Sequence, residues 1–165
     1  KPERFEEAAA AMPECVRRSK PGSGSPAAGR FLLDSIGELR QAYSLATLVV
    51  VGRSFGDQYG SDPIEPIALG RPTLIGPAVS DFASIVREFE IAGGIARTDR
   101  GSLAADLARW IGDEASRAGL AERGRACIRA NQGASARHAA LLAEWAARRA
   151  AARGGSGVLG RSGGG

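Results

Sequence analysis

LVVVGRSFGDQYGSDPIEP, residues 48–66, is the stretch on which the fold turns. It opens with the apolar residues Leu48, Val49, Val50 and Val51, mostly β-branched, and stops at Gly52. A continuous apolar run bounded by glycine reads as a strand buried on both faces, as in a parallel sheet. A loop rich in Gly and Ser follows over residues 52–61. Asp62, Pro63 and Glu65 then have the order of a helix start: an N-cap, a first helical position and an acid three residues after the cap. Gly70 ends that helix.

The same alternation extends on both sides. Downstream, residues 72–75 form a short apolar strand that stops at Gly76 and Pro77. Residues 81–92 form an amphipathic helix with Phe82, Ile85, Val86 and Phe89 on one face. Residues 93–97 make a turn and a short strand. From Ser102 the pattern is helical, in segments over 102–118, 121–131 and 134–149, punctuated by Gly119 and Gly133. Upstream, residues 2–18 read as a helix that Pro13 bends or shortens, with Arg17 and Arg18 at its negative end. Residues 20–29 are a loop, 30–33 a strand and 37–46 a helix. Residues 151–165 are too rich in glycine to offset the entropy of ordering and are expected to be disordered.

Strands alternating with helices predict an α/β fold: a Rossmann-like parallel sheet flanked by helices, with a helical C-terminal part, over residues 1–150. In such sheets ligands sit outside the carboxyl ends of the strands. That rule selects three segments, residues 34–38, 52–65 and 76–82.

Composition excludes little but constrains the partners. Lys and Arg number 22 against 18 acids, a net charge of +4, and aromatic residues are 5% of the chain. The arginines are scattered, so no basic groove with interleaved stacking residues marks a nucleic-acid surface. Cys15, Cys127 and His138 lie far apart and have no metal-ligand spacing, so no metal is expected. No apolar run is long enough to span a membrane. The chain opens at Lys1 and reads as part of a longer protein.

The chemistry is carried by the loops. In residues 52–65, small residues let backbone N–H groups approach an anion, and the helix start after Asp62 adds unpaired N–H groups. Glu65, one turn in, can accept hydrogen bonds from both hydroxyls of a ribose. The same residues also read as a plain strand-to-helix turn in which Glu65 closes a capping box. In residues 34–39, Gly37 permits close backbone approach, so that N–H groups there can meet the other side of the same phosphate. The alternative is an N-cap by Asp34 or Ser35 with Glu38 in the first turn.

Taken in order, the motifs resemble the C-terminal half of the 3-deoxy-D-manno-octulosonic acid (Kdo) transferases of Gram-negative lipopolysaccharide synthesis. The likeness begins at Lys1-Pro2-Glu3-Arg4-Phe5 and includes Asp34-Ser35-Ile36-Gly37-Glu38-Leu39 with Tyr43. It continues through Val51-Gly52-Arg53-Ser54, Pro63-Ile64-Glu65-Pro66 with Ala68, Gly70-Arg71-Pro72, Gly76-Pro77 and Phe82, and more weakly to Ala130-Asn131-Gln132-Gly133.

The resemblance implies the donor-binding domain of a GT-B fold. Its donor would be CMP-Kdo and its acceptor a lipid A precursor, held by an N-terminal domain that also carries the general base. The first strand of this domain would lie outside the chain. No cofactor and no metal are implied, and membrane association would come through the N-terminal part, at the cytoplasmic face of the inner membrane. Ile36, Gly37 and Glu38 would face the nucleotide phosphate. Ser54, Gly60, Ser61 and Asp62 would line the opposite side, and Glu65 would hold the ribose.

The family usually has Gly-Gly-His-Asn where this chain has Tyr59-Gly60-Ser61-Asp62. A carboxylate at 62 competes with a phosphate for the same helix end, and Arg53, where the family usually has Gly, adds positive charge. Two other readings remain open: a GT-B transferase using another nucleotide sugar, and a non-catalytic nucleotide-binding domain.

Overall fold

The β-branched run Val49–Val51 forms strand β3 of the computed structural model, which describes residues 4–56 and 59–154. It pairs in parallel with β4 (Thr73–Ile75), Val49 opposite Thr73 and Val51 opposite Ile75. On the other side of β4, β5 (Ala96–Arg97) pairs in parallel, Leu74 opposite Ala96. Thr73, Leu74 and Ile75 are all fully buried. A strand with neighbours on both edges and helices on both faces has no solvent side, which is why its sequence does not alternate.

A second, separate sheet pairs β1 (Val16–Arg17) with β2 (Phe31–Leu32), also in parallel. This corrects the long helix expected over residues 2–18. Helix α1 covers only Phe5–Ala11. Pro13 cannot continue a helix, and Glu14 takes the left-handed conformation with φ 60°. The chain thereby reverses, and Arg17, expected at a helix end, lies in a strand.

Helix α2 (Leu39–Leu45) begins two residues later than expected, because Gly37 has φ +90° and cannot be helical. The remaining helices are α3 (Ile64–Ala68), α4 (Ala83–Ile91), α5 (Leu103–Gly112) and α6 (Glu114–Gly154). The C-terminal part is helical, but its breaks are not at the glycines. Gly119 and Gly133 lie inside α6. The break is at Asp113, in extended conformation, whose carboxylate accepts hydrogen bonds from the Ser116 N–H (2.9 Å) and hydroxyl (2.6 Å). A glycine costs a helix about 1 kcal/mol, which packing can offset; a capped start is a positive signal. Residues 151–154 of the expected Gly-rich tail are the last of α6, and residues 155–165 lie outside the described residues.

The core joins Val51, Ile67, Ile75, Val86, Phe89 and Ile95, with Phe82, Ile85, Cys127 and Ile128 packed against it. The expected apolar face of α4 is therefore the face that meets the sheet. Helix α6 reaches this core through glycine. A Cβ on Gly124 would stand 2.7 Å from Ile67 Cγ2 and 2.8 Å from the Gly94 carbonyl oxygen. A Cβ on Gly94 would meet Gly124 Cα at 2.5 Å. Two backbones touch here with no room for a side chain.

Gly124→Ala should therefore destabilise the fold by about 1–3 kcal/mol, the usual cost of overpacking. Gly112→Ala, where a Cβ meets nothing within 4 Å, should be neutral or stabilise by about 0.5–1 kcal/mol. Urea unfolding of both variants measures the contrast.

Candidate functional site

The loops after β3, β4 and β5 leave the sheet at one end and are tied to each other by backbone and side-chain hydrogen bonds. Ser54 is the central strut. It is fully buried, its hydroxyl donates to the Val51 carbonyl and accepts from the Gly76 N–H at 2.7 Å. Its own carbonyl accepts from the Ala78 N–H at 2.9 Å. The Ser54 side chain thus spends its hydrogen bonds holding the β3 loop to the β4 loop.

Gly60 packs on the same turn. It is buried at φ +95°, and a Cβ there would lie 2.9 Å from the Ala78 carbonyl oxygen. Between these loops is an open cleft of about 570 Å3 lined by Gly56, Tyr59, Pro77, Ala78, Val79 and Ser80. Two arginines, one in β5 and one just after it, brace its walls. Arg97 donates to the Gly76 carbonyl at 3.2 Å and pairs with Glu90, and Arg100 donates to the Phe55 carbonyl at 2.7 Å.

Asp62 caps α3 as its sequence position indicates: its carboxylate accepts from the Ile64 N–H at 2.7 Å. That carboxylate occupies an N–H at the helix start that an anion would otherwise take. Ser61 is half-buried beside it. Glu65 is exposed, and among the described residues its carboxylate has no hydrogen-bond partner, so the capping box is not closed. Tyr43 of α2 lies near both acids. Its hydroxyl titrates above the ordinary tyrosine value, through burial first and then through the charges of Glu65 and Asp62.

The segment before α2 is held to β1 rather than to the cleft. Asp34 is buried; its carboxylate accepts from the Arg17 Nε–H (2.7 Å), the Ser19 N–H (2.8 Å) and the Ser19 hydroxyl. The Ser19 hydroxyl, the Ser19 N–H and Arg17 hold this carboxyl well below the usual range. Arg17 completes its fork on Glu6, at 2.8 and 2.7 Å. The expected alternative of an N-cap by Asp34 is not what forms, since its oxygens face β1.

Glu38 accepts from the Ser35 hydroxyl and from Arg18 at 3.0 Å, and both partners lower its pKa, Ser35 most. Ile36 is 78% exposed beside the left-handed Gly37, so this loop offers backbone to solvent.

The structure therefore places Ser54 and Gly60 behind the loops that line the cleft, and Asp62 and Glu65 near Tyr43. Ile36, Gly37 and Glu38 are not among the residues that line the cleft, and Glu38 bonds instead to Ser35 and Arg18. Sequence reasoning reached Ala78, Val79 and Ser80 within the selected segment 76–82 but did not single out Arg97 or Arg100. The rule of strand carboxyl ends, applied to β5 as well, reaches these two. No group of three or more potential metal ligands exists among the described residues.

No protein-family model matches the chain. It is 34% identical over 151 residues to a 3-deoxy-D-manno-octulosonic acid transferase of Bordetella pertussis, covering 87% of this chain and 35% of that protein. It is 29% identical over 114 residues to the transferase of the same name from Haemophilus influenzae, covering 68% of this chain and 27% of that protein. The chain thus spans about a third of the length of these relatives, or less. In fold it is similar to the crystal structure of the C-terminal CMP-Kdo binding domain of WaaA from Acinetobacter baumannii. The TM-score is 0.71 at 26% identity, covering 78% of this chain and 69% of that domain. These likenesses bear out the resemblance read from the motifs and the parallel α/β fold it implied.

The Asp34 network has a pH signature. A carboxyl whose folded pKa is depressed contributes stability above its unfolded pKa, about 3.9, and loses it as pH falls toward the folded value. Asp34→Asn should lower the Tm at pH 7, and its gap from the wild type should narrow as pH drops from about 5 toward 2.5. Thermal unfolding across that range measures it; a gap independent of pH would mean that Asp34 acts by shape alone.

Proposed function

We propose that the chain is the donor-binding part of a 3-deoxy-D-manno-octulosonic acid transferase, and that the longer protein moves Kdo from CMP-Kdo to a lipid A precursor. The observation that carries this reading is the fold likeness to a CMP-Kdo binding domain, together with loops that gather around one cleft at the carboxyl end of the sheet. In this reading the acceptor, the general base and attachment to the cytoplasmic face of the inner membrane belong to the rest of the protein.

The chemical task of a donor domain is to hold a nucleotide while its phosphate becomes the leaving group. Charge grows on that phosphate as the bond to the sugar breaks, and N–H groups fixed in advance stabilise it without reorganising. The backbone at Ser54, Gly60 and residues 76–80 is suited to this, because the hydrogen bonds of Ser54 and the close packing of Gly60 on Ala78 position it before any ligand arrives. The left-handed Gly37 exposes backbone in the same manner.

Glu65 is the side chain best placed for the ribose. It is exposed, has no hydrogen bond to lose among the described residues, and stands beside Tyr43. Asp62 works against phosphate binding, since its charge already occupies an N–H of α3. That observation supports a second reading, a nucleotide-binding domain with weakened phosphate contacts.

Calorimetry on the intact protein distinguishes these readings. CMP should bind more tightly than UDP or GDP. A tenfold preference for UDP would leave the fold standing and remove the Kdo assignment, and weak binding of all three nucleotides without preference would favour the second reading.

Glu65→Gln separates ligand from cap. Each charge-assisted hydrogen bond to a ribose hydroxyl is worth about 1.5–3 kcal/mol. The variant should lose at least about tenfold in CMP affinity, with a change in stability within about 0.5 kcal/mol. Unchanged affinity with a lowered Tm would make Glu65 a helix-start residue and nothing more.

A further inference from the structure

A nucleotide phosphate in the cleft needs a positive partner, and the start of α3 is ill placed to be it. Asp62 already takes the Ile64 N–H there at 2.7 Å, and its charge repels an anion. Helix α3 is short, Ile64–Ala68, so few peptide dipoles add up behind its first N–H groups.

The two arginines that brace the cleft differ in what they have left to offer. Arg97 has an acid of its own: its Nε–H donates to Glu90 at 2.5 Å, and its Nη1 donates to the Gly76 and Pro77 carbonyls at 3.2 and 3.5 Å. Arg100 has none. Its Nε–H donates to the Phe55 carbonyl at 2.7 Å. Among the described residues it forms no ion pair, and its two terminal nitrogens hold no hydrogen bond. The side chain is exposed, so those donors remain accessible.

Their position is fixed by the loop they rest on. Nη2 of Arg100 lies 3.8 Å from the point that a Cβ on Gly56 would occupy, and Gly56 lines the cleft with Tyr59 and Ala78. The absence of a side chain at 56 keeps that space clear. A guanidinium is planar, so the bond from Nε to Phe55 sets the direction of the whole fork. A fork held in this way can meet two oxygens of a phosphate at once, which a lysine cannot.

We propose that Arg100 binds the phosphate of the nucleotide donor from the β5 side of the cleft, in place of the helix start that Asp62 occupies. The proposal rests on the donor-binding reading and names the side chain that meets the phosphate. A phosphate esterified on both sides carries one negative charge, and the released nucleotide carries about two at neutral pH. A cation fixed beside it therefore stabilises the departing group more than the bound donor.

Calorimetry on the intact protein tests this with two pairs of probes, CMP with cytidine and UMP with uridine. Each pair differs by the phosphate alone. Arg100→Ala should weaken CMP at least about tenfold, the scale of one lost charge-assisted hydrogen bond, and leave cytidine unchanged. Arg100→Lys, which keeps the charge and loses the fork, should fall between the two proteins. An equal loss of CMP and cytidine in Arg100→Ala would overturn the proposal, because Arg100 would then only brace the Phe55 loop. Wild-type protein that binds CMP no better than cytidine would overturn it too. A preference of the wild type for UMP over CMP would instead remove the Kdo reading. A UMP-to-uridine ratio that still fell with Arg100→Ala would then support Arg100 as the phosphate ligand.

Discussion

Backbone pairing of the buried strand Thr73–Ile75 with a parallel neighbour on each side is the constraint on which the rest of the domain depends. Buried N–H and C=O groups must be paired, and parallel pairing makes β3, β4 and β5 run in one direction. Their following loops must then leave at one end. The helices that return the chain cover the two faces, and Ile67, Val86 and Phe89 fill the space between helix and sheet. The cleft is a consequence of this arrangement: three loops starting from adjacent strands have nowhere else to go.

What turns three neighbouring loops into a shaped site is a small set of polar contacts. The Ser54 hydroxyl bridges the ends of β3 and β4, and Arg97 and Arg100 bind loop carbonyls from the side of β5. A serine in a Gly-rich loop after a strand invites the reading that its hydroxyl meets the ligand. Here burial decides against that use of the side chain, because a fully buried hydroxyl must bond within the protein. Its contribution to a ligand would be made through the loops it positions. Asp62 poses the opposite problem, a charge retained at a position where an anion-binding loop gains from neutrality. The cap it provides and the repulsion it creates come from the same carboxylate.

The first third of the chain is organised differently. Among the described residues ahead of Val49, Cys15 and Asp34 are the buried side chains. Its order comes from charge: Arg17 bridges Asp34 and Glu6, and Arg18 reaches Glu38. The Arg17–Asp34 pair is largely desolvated, so its worth depends on the added hydrogen bonds from Ser19, and removing one partner would strand the other. These contacts fix the loop that leads into α2, whereas the core fixes everything after Val49.

Periodicity and punctuation by themselves determined much of this protein. The unbroken apolar runs 48–51 and 72–75 announce a parallel sheet, because only a strand buried on both faces lacks alternation. The i, i+3, i+4, i+7 face of 82–89 announces the helix that covers it, and the motif order announces the likeness to Kdo transferases. Local signals failed where long-range contacts outweigh them. Nothing near Val16 and Arg17 says strand; they become one because Arg30 and Leu32, far along the chain, offer carbonyls to pair with. Gly119 and Gly133 look like helix stops but are carried inside α6, and Gly124 in the same helix is needed where two backbones meet. The partners of Ser54, Asp34 and Glu38 were likewise illegible, since a hydroxyl or carboxylate reads the same in sequence whether it faces ligand, solvent or its own fold. Only the tertiary structure, by setting which groups lose water, decided among those.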